Sequence, residues 1–346
     1  MELTLLHEFP ISPSLAEEWN ALLALSEPNT PFLRYEYLRA WWQERGGGEW
    51  PQAKVAIVLA RRNGQLTGIA PLFQARNAQG EEALLLLGSQ AISDYLDIIS
   101  PAAERPRFLN ALLDFLQTTP SGALRWQVLD WCNLLEDSPT IPLLRQEAQA
   151  RGWSYEIKPT DHAPRVPLPG DFEAYLAGLD KKQRHEIRRK MRRALESGQD
   201  VRWYIVQEAD ALEAEMEAFL DLMAQDPEKA AFLTPAMRAQ MRLLMQAAFQ
   251  GGWLQLAFLE VDGKKAAAYL NFDYADRIWV YNSGLEPDFR DLSPGWVLLA
   301  HLLQWANEQG RLEFDFMRGN EEYKYRFGGL DRLVMRVRLA RPPQGD

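Results

Sequence analysis

The chain has 346 residues, with 38 Lys and Arg against 48 Asp and Glu, a formal net charge of −10. A hydrophobic fraction of 47% and a charged fraction of 25% are those of an ordinary globular protein, which excludes disordered, collagen-like and disulfide-scaffold classes. One cysteine permits no internal disulfide, the four histidines show no metal-ligand spacing, and the bulk acidity argues against a general nucleic-acid binder.

No apolar run approaches the roughly 18–20 residues that span a bilayer. The start, Met1-Glu2-Leu3-Thr4, has no basic segment ahead of an apolar stretch, so no secretory leader is expected and a cytoplasmic location is. Two helical stretches come first, Leu15 to Leu25 and Tyr35 to Glu44. Val55 to Ala60 and Leu66 to Phe73 then flank Asn63-Gly64, a strong short hairpin signal, because a type I′ turn needs two residues tolerant of positive φ. A strand at Ala83 to Gly88, a helix at Pro106 to Gln117 and strands at Arg125 to Asp130 and Ser154 to Ile157 follow. Four prolines between Lys158 and Asp171 exclude a helix or central strand and make that segment a linker or an edge strand.

The second half repeats this order. After a basic helix at Asp180 to Glu196 come helices at Ala209 to Ala224 and Thr234 to Gln250, and a hairpin around Asp262-Gly263. A strand at Arg277 to Ser283, a helix at Pro294 to Gln309, a strand at Arg311 to Phe316 and a last strand at Arg332 to Leu339 complete it. The expectation is two tandem α/β domains, residues 1–160 and 161–346, each a mixed sheet with helices on both faces.

This order resembles the GNAT acyltransferase fold. The specific stretches are Pro31-Phe32 with Trp41, Ile69 to Phe73, Leu179 to Arg189, Leu292-Ser-Pro-Gly295 and Asp315 to Phe327. They resemble the tandem acetyltransferase-like proteins associated with cellulose biosynthesis and, more distantly, the Fem-type aminoacyltransferases of peptidoglycan synthesis. The resemblance implies a transferase using acetyl-CoA or another acyl-CoA, with no metal. The acceptor it implies is a small molecule, glycan or peptide, in a setting of cell-envelope polysaccharide.

Ser293 is read as a helix cap, Pro294 fits the first turn, and Gly295 lets a ligand approach the backbone; free amides at such an end attract phosphate. Arg290, Ser293 and Gly295 align with the GNAT donor loop, Ser293 standing for its first glycine. The first half has Ala103 to Phe108 at the equivalent point, without glycine, so the first domain is expected to be degenerate and the donor to sit in the second. Asp315 and Arg318 lie where a strand gives way to a Gly-containing turn, a usual place for functional groups. Acyl transfer to an amine needs a base, an oxyanion stabiliser and an acid for the leaving thiol. Asp315 or Glu322 is the candidate base, Lys324 the oxyanion or phosphate contact, and Tyr323 the acid. The alternative for Asp315 is an ion-pair knot with Arg318 or Lys324. In Fem-type enzymes a lysine at the reaction centre matches Lys324. Arg318 is assigned to the donor, and Tyr281 and Asn282 to the substrate.

The basic helix holds eight Lys or Arg and three acids, 8 − 3 = +5, which leaves −15 on the rest of the chain. Nucleotide phosphates, a tRNA and an anionic lipid surface all suit it, with Arg184 and Arg188 as its anion contacts; the other reading is a solvated face. Cys132 reads as a small buried hydrophobe. Three functions follow: an acyl-CoA-dependent transferase, a Fem-like transferase fed by aminoacyl-tRNA, and a non-catalytic binding protein on the same scaffold.

Overall fold

The computed structural model describes residues 1–342 of the chain. Two compact units emerge, one of residues 1–161 and 333–342, the other of residues 162–332. The first begins with β1 (Glu2–Leu6), α1 (Pro13–Ala24), α2 (Tyr35–Gln43), β2 (Lys54–Val55), β3 (Ile57–Arg62), β4 (Gln65–Ala70), β5 (Leu72–Arg76) and β6 (Glu82–Leu86). It continues with α3 (Arg105–Thr118), β7 (Val128–Leu135), α4 (Thr140–Arg151) and β8 (Ser154–His162). The second holds β9 (Arg165–Pro167), α5 (Phe172–Gly178), α6 (Lys181–Leu195), β10 (Val201–Ile205), α7 (Leu212–Met223), α8 (Pro227–Phe232) and α9 (Pro235–Gln250). Then come β11 (Leu254–Val261), β12 (Lys264–Tyr274), β13 (Arg277–Leu285), α10 (Pro294–Glu308), β14 (Glu313–Asp315) and α11 (Glu322–Arg326), before β15 (Leu333–Ala340).

Both hairpins form at the expected turns. Asn63 and Gly64 take φ of 52° and 81°, and Asp262 and Gly263 take 48° and 75°, so two residues suffice between Arg62↔Gln65 and between Val261↔Lys264. The second unit orders its sheet β10-β11-β12-β13-β14-β9. Leu298, Leu302 and Ala306 of α10 pack on its inner face with Ala257, Leu259 and Val280, while Ile187 of α6 closes the same core. The first unit has a three-stranded sheet, β1-β3-β4, and a six-stranded one, β2-β5-β6-β7-β15-β8.

The last strand corrects the expected boundary at residue 346. It was assigned to the second half, yet β15 lies antiparallel to β7 in the first unit, with Val337 opposite Trp131 and Leu339 opposite Leu129. The reason is chemical as well as apolar. Asp130 of β7 is fully buried, and Arg336 of β15 supplies its counter-charge, Nε to Oδ1 at 2.6 Å. A buried carboxylate without such a partner is strongly destabilising. In the second unit the short β9, drawn from the proline-rich segment, takes the place beside β14. Both β8 and β9 are edge strands, where Pro159 and Pro167 remove no central ladder bond.

Candidate functional site

In the second unit β13 and β14 run parallel, paired from Arg277↔Glu313 to Trp279↔Asp315. β13 then continues to Leu285, whereas β14 ends at Asp315, so the two strands part. Such a crevice at the carboxyl ends of parallel strands is the usual ligand position in open α/β sheets. A cavity of about 440 Å³ lies there. One wall is Ser283 to Pro287 at the end of β13, and the first turn of α10 forms the next. The opposite wall is the end of α7 and its connection to α8, and Tyr269, Tyr323 and Phe327 line the interior.

The residues at the head of α10 explain what that wall offers. Pro294 at the first helical position lacks an N–H, and Val297 N–H donates to the Ser293 carbonyl at 3.1 Å. The Gly295 and Trp296 amides therefore lie in the first turn, before the first i→i−4 acceptor, and point with the helix dipole at the cavity. Ser293 corrects the sequence reading in detail. Its backbone is left-handed (φ 53°, ψ 52°) and its hydroxyl makes no capping bond. The residue also closes the short 3-10 helix Pro287–Leu292, its amide donating to the Arg290 carbonyl at 3.0 Å. Arg290 stands on the rim, exposed, its guanidinium in no ion pair or hydrogen bond among the described residues.

Of the expected site residues, Arg290, Ser293, Gly295 and Tyr323 meet around this cavity. The others do not line it. Lys324 is buried, and its ammonium donates to the carbonyls of Met317, Arg318 and Gly319 at 3.3, 2.6 and 3.2 Å and pairs with Glu321 at 2.9 Å. It secures the turn in which Met317 and Gly319 have positive φ, so the expected oxyanion contact has no free donor to serve it. Asp315 is fully buried, 2.6 Å from Arg332 Nη2, and accepts the Met317 amide at 2.8 Å, so it stands in an ion-pair knot in which Arg332 takes part. Glu322 is exposed and pairs with Arg326 along α11 at 2.6 Å. Arg318 is half-buried and away from the cavity.

Tyr281 is the extra residue of a bulge, since Leu270 pairs with Asn282 and Asn271 with Val280. Its ring lies 5.2 Å from that of Phe272, and Asn282 turns its Oδ1 to the Ser283 amide at 2.9 Å. The strand thus presents Ser283 to Leu285 to the cavity in place of Tyr281 and Asn282. Arg184 donates to the carbonyls of Leu176, Ala177 and Leu179 and so caps α5; Arg188 pairs with Glu173. The basic helix keeps its unpaired charge further along, where Arg192 and Arg193 line a shallow groove with Arg189, which pairs with Glu186, and with Leu292 of the 3-10 segment.

Sequence reasoning missed Lys229, Tyr269 and Glu286. Lys229 Nζ donates to the Ser283 carbonyl at 2.6 Å, tying α8 to β13, and burial lowers its pKa. Its sequence signal was the Asp226-Pro227 helix start, where Asp226 accepts the Glu228 and Lys229 amides at 2.9 and 3.2 Å. Tyr269, a lone phenol after Ala266-Ala-Ala268 on β12, is held well above its ordinary pKa by burial, with Tyr323 adding to the shift. Burial, reinforced by Glu321, likewise raises Tyr323. Both phenols keep their protons at neutral pH and face a water-poor space.

Residues 181–325 match a family described as an acetyltransferase (GNAT) domain. No curated protein matches the chain. Among solved structures it is similar to FemX, at 13% identity with 97% of each chain covered and a TM-score of 0.66. It is also similar to L-PGS from Bacillus licheniformis (12% identity, 96% of this chain and 93% of that one, TM-score 0.57). A tandem GNAT protein from the clavulanic acid biosynthesis pathway matches at 15% identity, over 99% of this chain and 100% of that one, with a TM-score of 0.52. At these identities the structures speak for the fold, which they extend over both units, and the family match speaks for the second unit. Residues 181–325 thus carry an acetyltransferase (GNAT) domain, and both units share the fold of tandem GNAT proteins.

Proposed function

We propose that this transferase moves an acyl group from coenzyme A to an amine or hydroxyl acceptor in the cavity of its second unit. The observation that carries the reading is the head of α10, where two uncommitted amides, the helix dipole and Arg290 converge on one crevice. The donor pyrophosphate lies against the Gly295 and Trp296 amides with Arg290 over it. The acyl end runs inward along Ser283 to Leu285, toward Tyr269 and Tyr323.

The acceptor nitrogen or oxygen attacks the thioester carbonyl, its bond to carbon forms, and the carbon–sulfur bond breaks. Tyr323, protonated at neutral pH because it is buried, gives its proton to the departing thiolate. Glu286 receives the acceptor's proton: among the described residues it lines the cavity uncommitted, whereas Asp226 caps α8. The expected bases, Asp315 and Glu322, are each held in an ion pair outside the cavity. The first unit carries no donor in this reading. Arg105, at the head of α3, is itself buried and donates to the Ser100 carbonyl at 2.8 Å, which puts a guanidinium where the second unit keeps an open loop.

Calorimetric titration with acetyl-CoA and longer acyl-CoAs tests the reading, and an absence of saturable binding to any of them would count against it. A second reading rests on Arg192 and Arg193, unpaired among the described residues beside Leu292: an aminoacyl-tRNA donor whose phosphates continue past the loop. Salt-dependent binding of bulk tRNA that is lost in Arg192→Glu/Arg193→Glu, with no acyl-CoA binding, would favour it. A chain that binds neither donor would be a scaffold without catalysis.

A further inference from the structure

The first unit has a larger cavity than the candidate donor site, about 790 Å³, formed by β8, β15 and the start of α4. Its floor is two arginines of β15. Arg336 is clamped to Asp130, and its Nη2 donates to Gln79 Oε1 at 3.0 Å. Arg338 pairs with Glu81 at 2.5 Å and Glu156 at 3.3 Å, while its Nε is buried without a hydrogen-bond partner. These side chains are rigid, because each is held by an acid on a neighbouring element. Above them stand Arg145 of α4 and Lys158 of β8, and neither side chain has an ion pair or hydrogen bond among the described residues. On a chain of net charge −10, two cations from separate elements that converge unpaired on one groove are not explained by the fold.

Gln79 and the Glu156 carboxylate, both engaged by the β15 arginines, also line the groove, and the rest of the lining is largely apolar. Ile141 and Pro142 form one side, Tyr155 and Ile157 the other, and Ile157 is 41% exposed on a strand where only water covers it. An isolated anion, such as free phosphate, would use the cations and leave this surface wet. A neutral hydrophobe would use the surface and leave the cations unmatched.

We propose that this groove binds a small amphipathic anion, a carboxylate or phosphate head on an aliphatic or aromatic body, so that the first unit acts as a ligand-binding module independent of the donor site. The head lies between Arg145 and Lys158 over the Arg336 and Arg338 guanidiniums, where charge-assisted hydrogen bonds are strongest. The body covers Ile141, Tyr155 and Ile157. A groove with an apolar lining and a few convergent polar groups is the ordinary form of a small-molecule site.

The test is calorimetric titration of the whole chain with octanoate, phenyl phosphate and inorganic phosphate. At least one organic anion should bind saturably, at least about tenfold tighter than inorganic phosphate. Arg145→Gln/Lys158→Gln should weaken that binding at least about tenfold while leaving acetyl-CoA binding and the melting temperature unchanged. Ile157→Ser should weaken the organic anions and spare inorganic phosphate, which separates the apolar floor from the charges. The proposal is overturned if no organic anion binds saturably up to about 10 mM. It is equally overturned if the double variant binds as wild type does, or if inorganic phosphate binds as tightly as the organic anions. The organic-anion titrations do not depend on whether the second unit binds coenzyme A.

Discussion

Gly284→Ala is a substitution whose cost follows from two main-chain contacts. Gly284 lies on β13 at the cavity wall, and a Cβ there would sit 2.5 Å from the Met223 amide nitrogen and 2.6 Å from the Leu222 carbonyl carbon. Both are main-chain atoms of α7, so no side chain can rotate away. Ordinary contact begins near 3.4 Å, so the end of α7 must retreat by 3.4 − 2.5 = 0.9 Å. Overpacking of this kind costs about 1–3 kcal/mol. The same retreat carries the α7–α8 connection, and with it Lys229, away from Ser283, so the cavity widens where the reacting groups meet. A displacement of about 1 Å at a reaction centre lowers turnover by about 10²-fold. Urea unfolding measures the first effect and thiol release from acetyl-CoA the second. The reasoning is refuted if Gly284→Ala unfolds at the wild-type urea concentration, because the contact would then be absorbed without movement.

Four further outcomes follow from the same geometry. Arg332→Met removes a 2.6 Å ion-pair contact from the fully buried Asp315 and should cost about 3–5 kcal/mol by urea unfolding; a loss under about 1 kcal/mol would contradict the knot. Tyr323→Phe should lower kcat about 10²–10³-fold with little change in donor KM, read from thiol release, and an unchanged kcat would remove the phenol from the reaction. Tyr175, Tyr269 and Tyr323 all have pKa values raised above the ordinary 10.0 by burial. A raised folded value favours the protonated form in the native state, so that contribution is complete below pH 10.0 and lost as pH rises above it; Tm measured from pH 8 to 11 should fall only at the alkaline end. Burial pushes the Cys132 thiol up to about 12, so it should resist thiol reagents at pH 8 until the chain unfolds.

Local chemistry made part of this structure readable from the sequence. Asn63-Gly64 and Asp262-Gly263 set two hairpins because the turn demands residues that accept positive φ, and Pro294 marked the start of α10 because it needs no N–H there. That Arg290, Ser293 and Gly295 lie together was readable for the same reason, since the loop is contiguous and leads into a helix terminus. What failed depends on contacts between distant segments. Nothing in the alternation of Leu333 to Ala340 says which sheet it joins; the buried Asp130, some two hundred residues earlier, decides it. Lys324 stands in a chemically suggestive run, but three carbonyls of a left-handed turn converge on its ammonium. One bulged residue moved the cavity-facing side chains from Tyr281 and Asn282 to Ser283 onward. The α7–α8 wall was invisible because Lys229 matters only through its 2.6 Å bond to a carbonyl on β13.

In the proposed reaction the head of α10 holds the phosphates of an acyl donor. Calorimetric titration of acetyl-CoA into the whole chain and into Arg290→Glu measures that contact. One saturable site is expected in the wild type, weakened at least about tenfold by the charge reversal at unchanged melting temperature. Absent binding, or equal affinity in the two proteins, would contradict it.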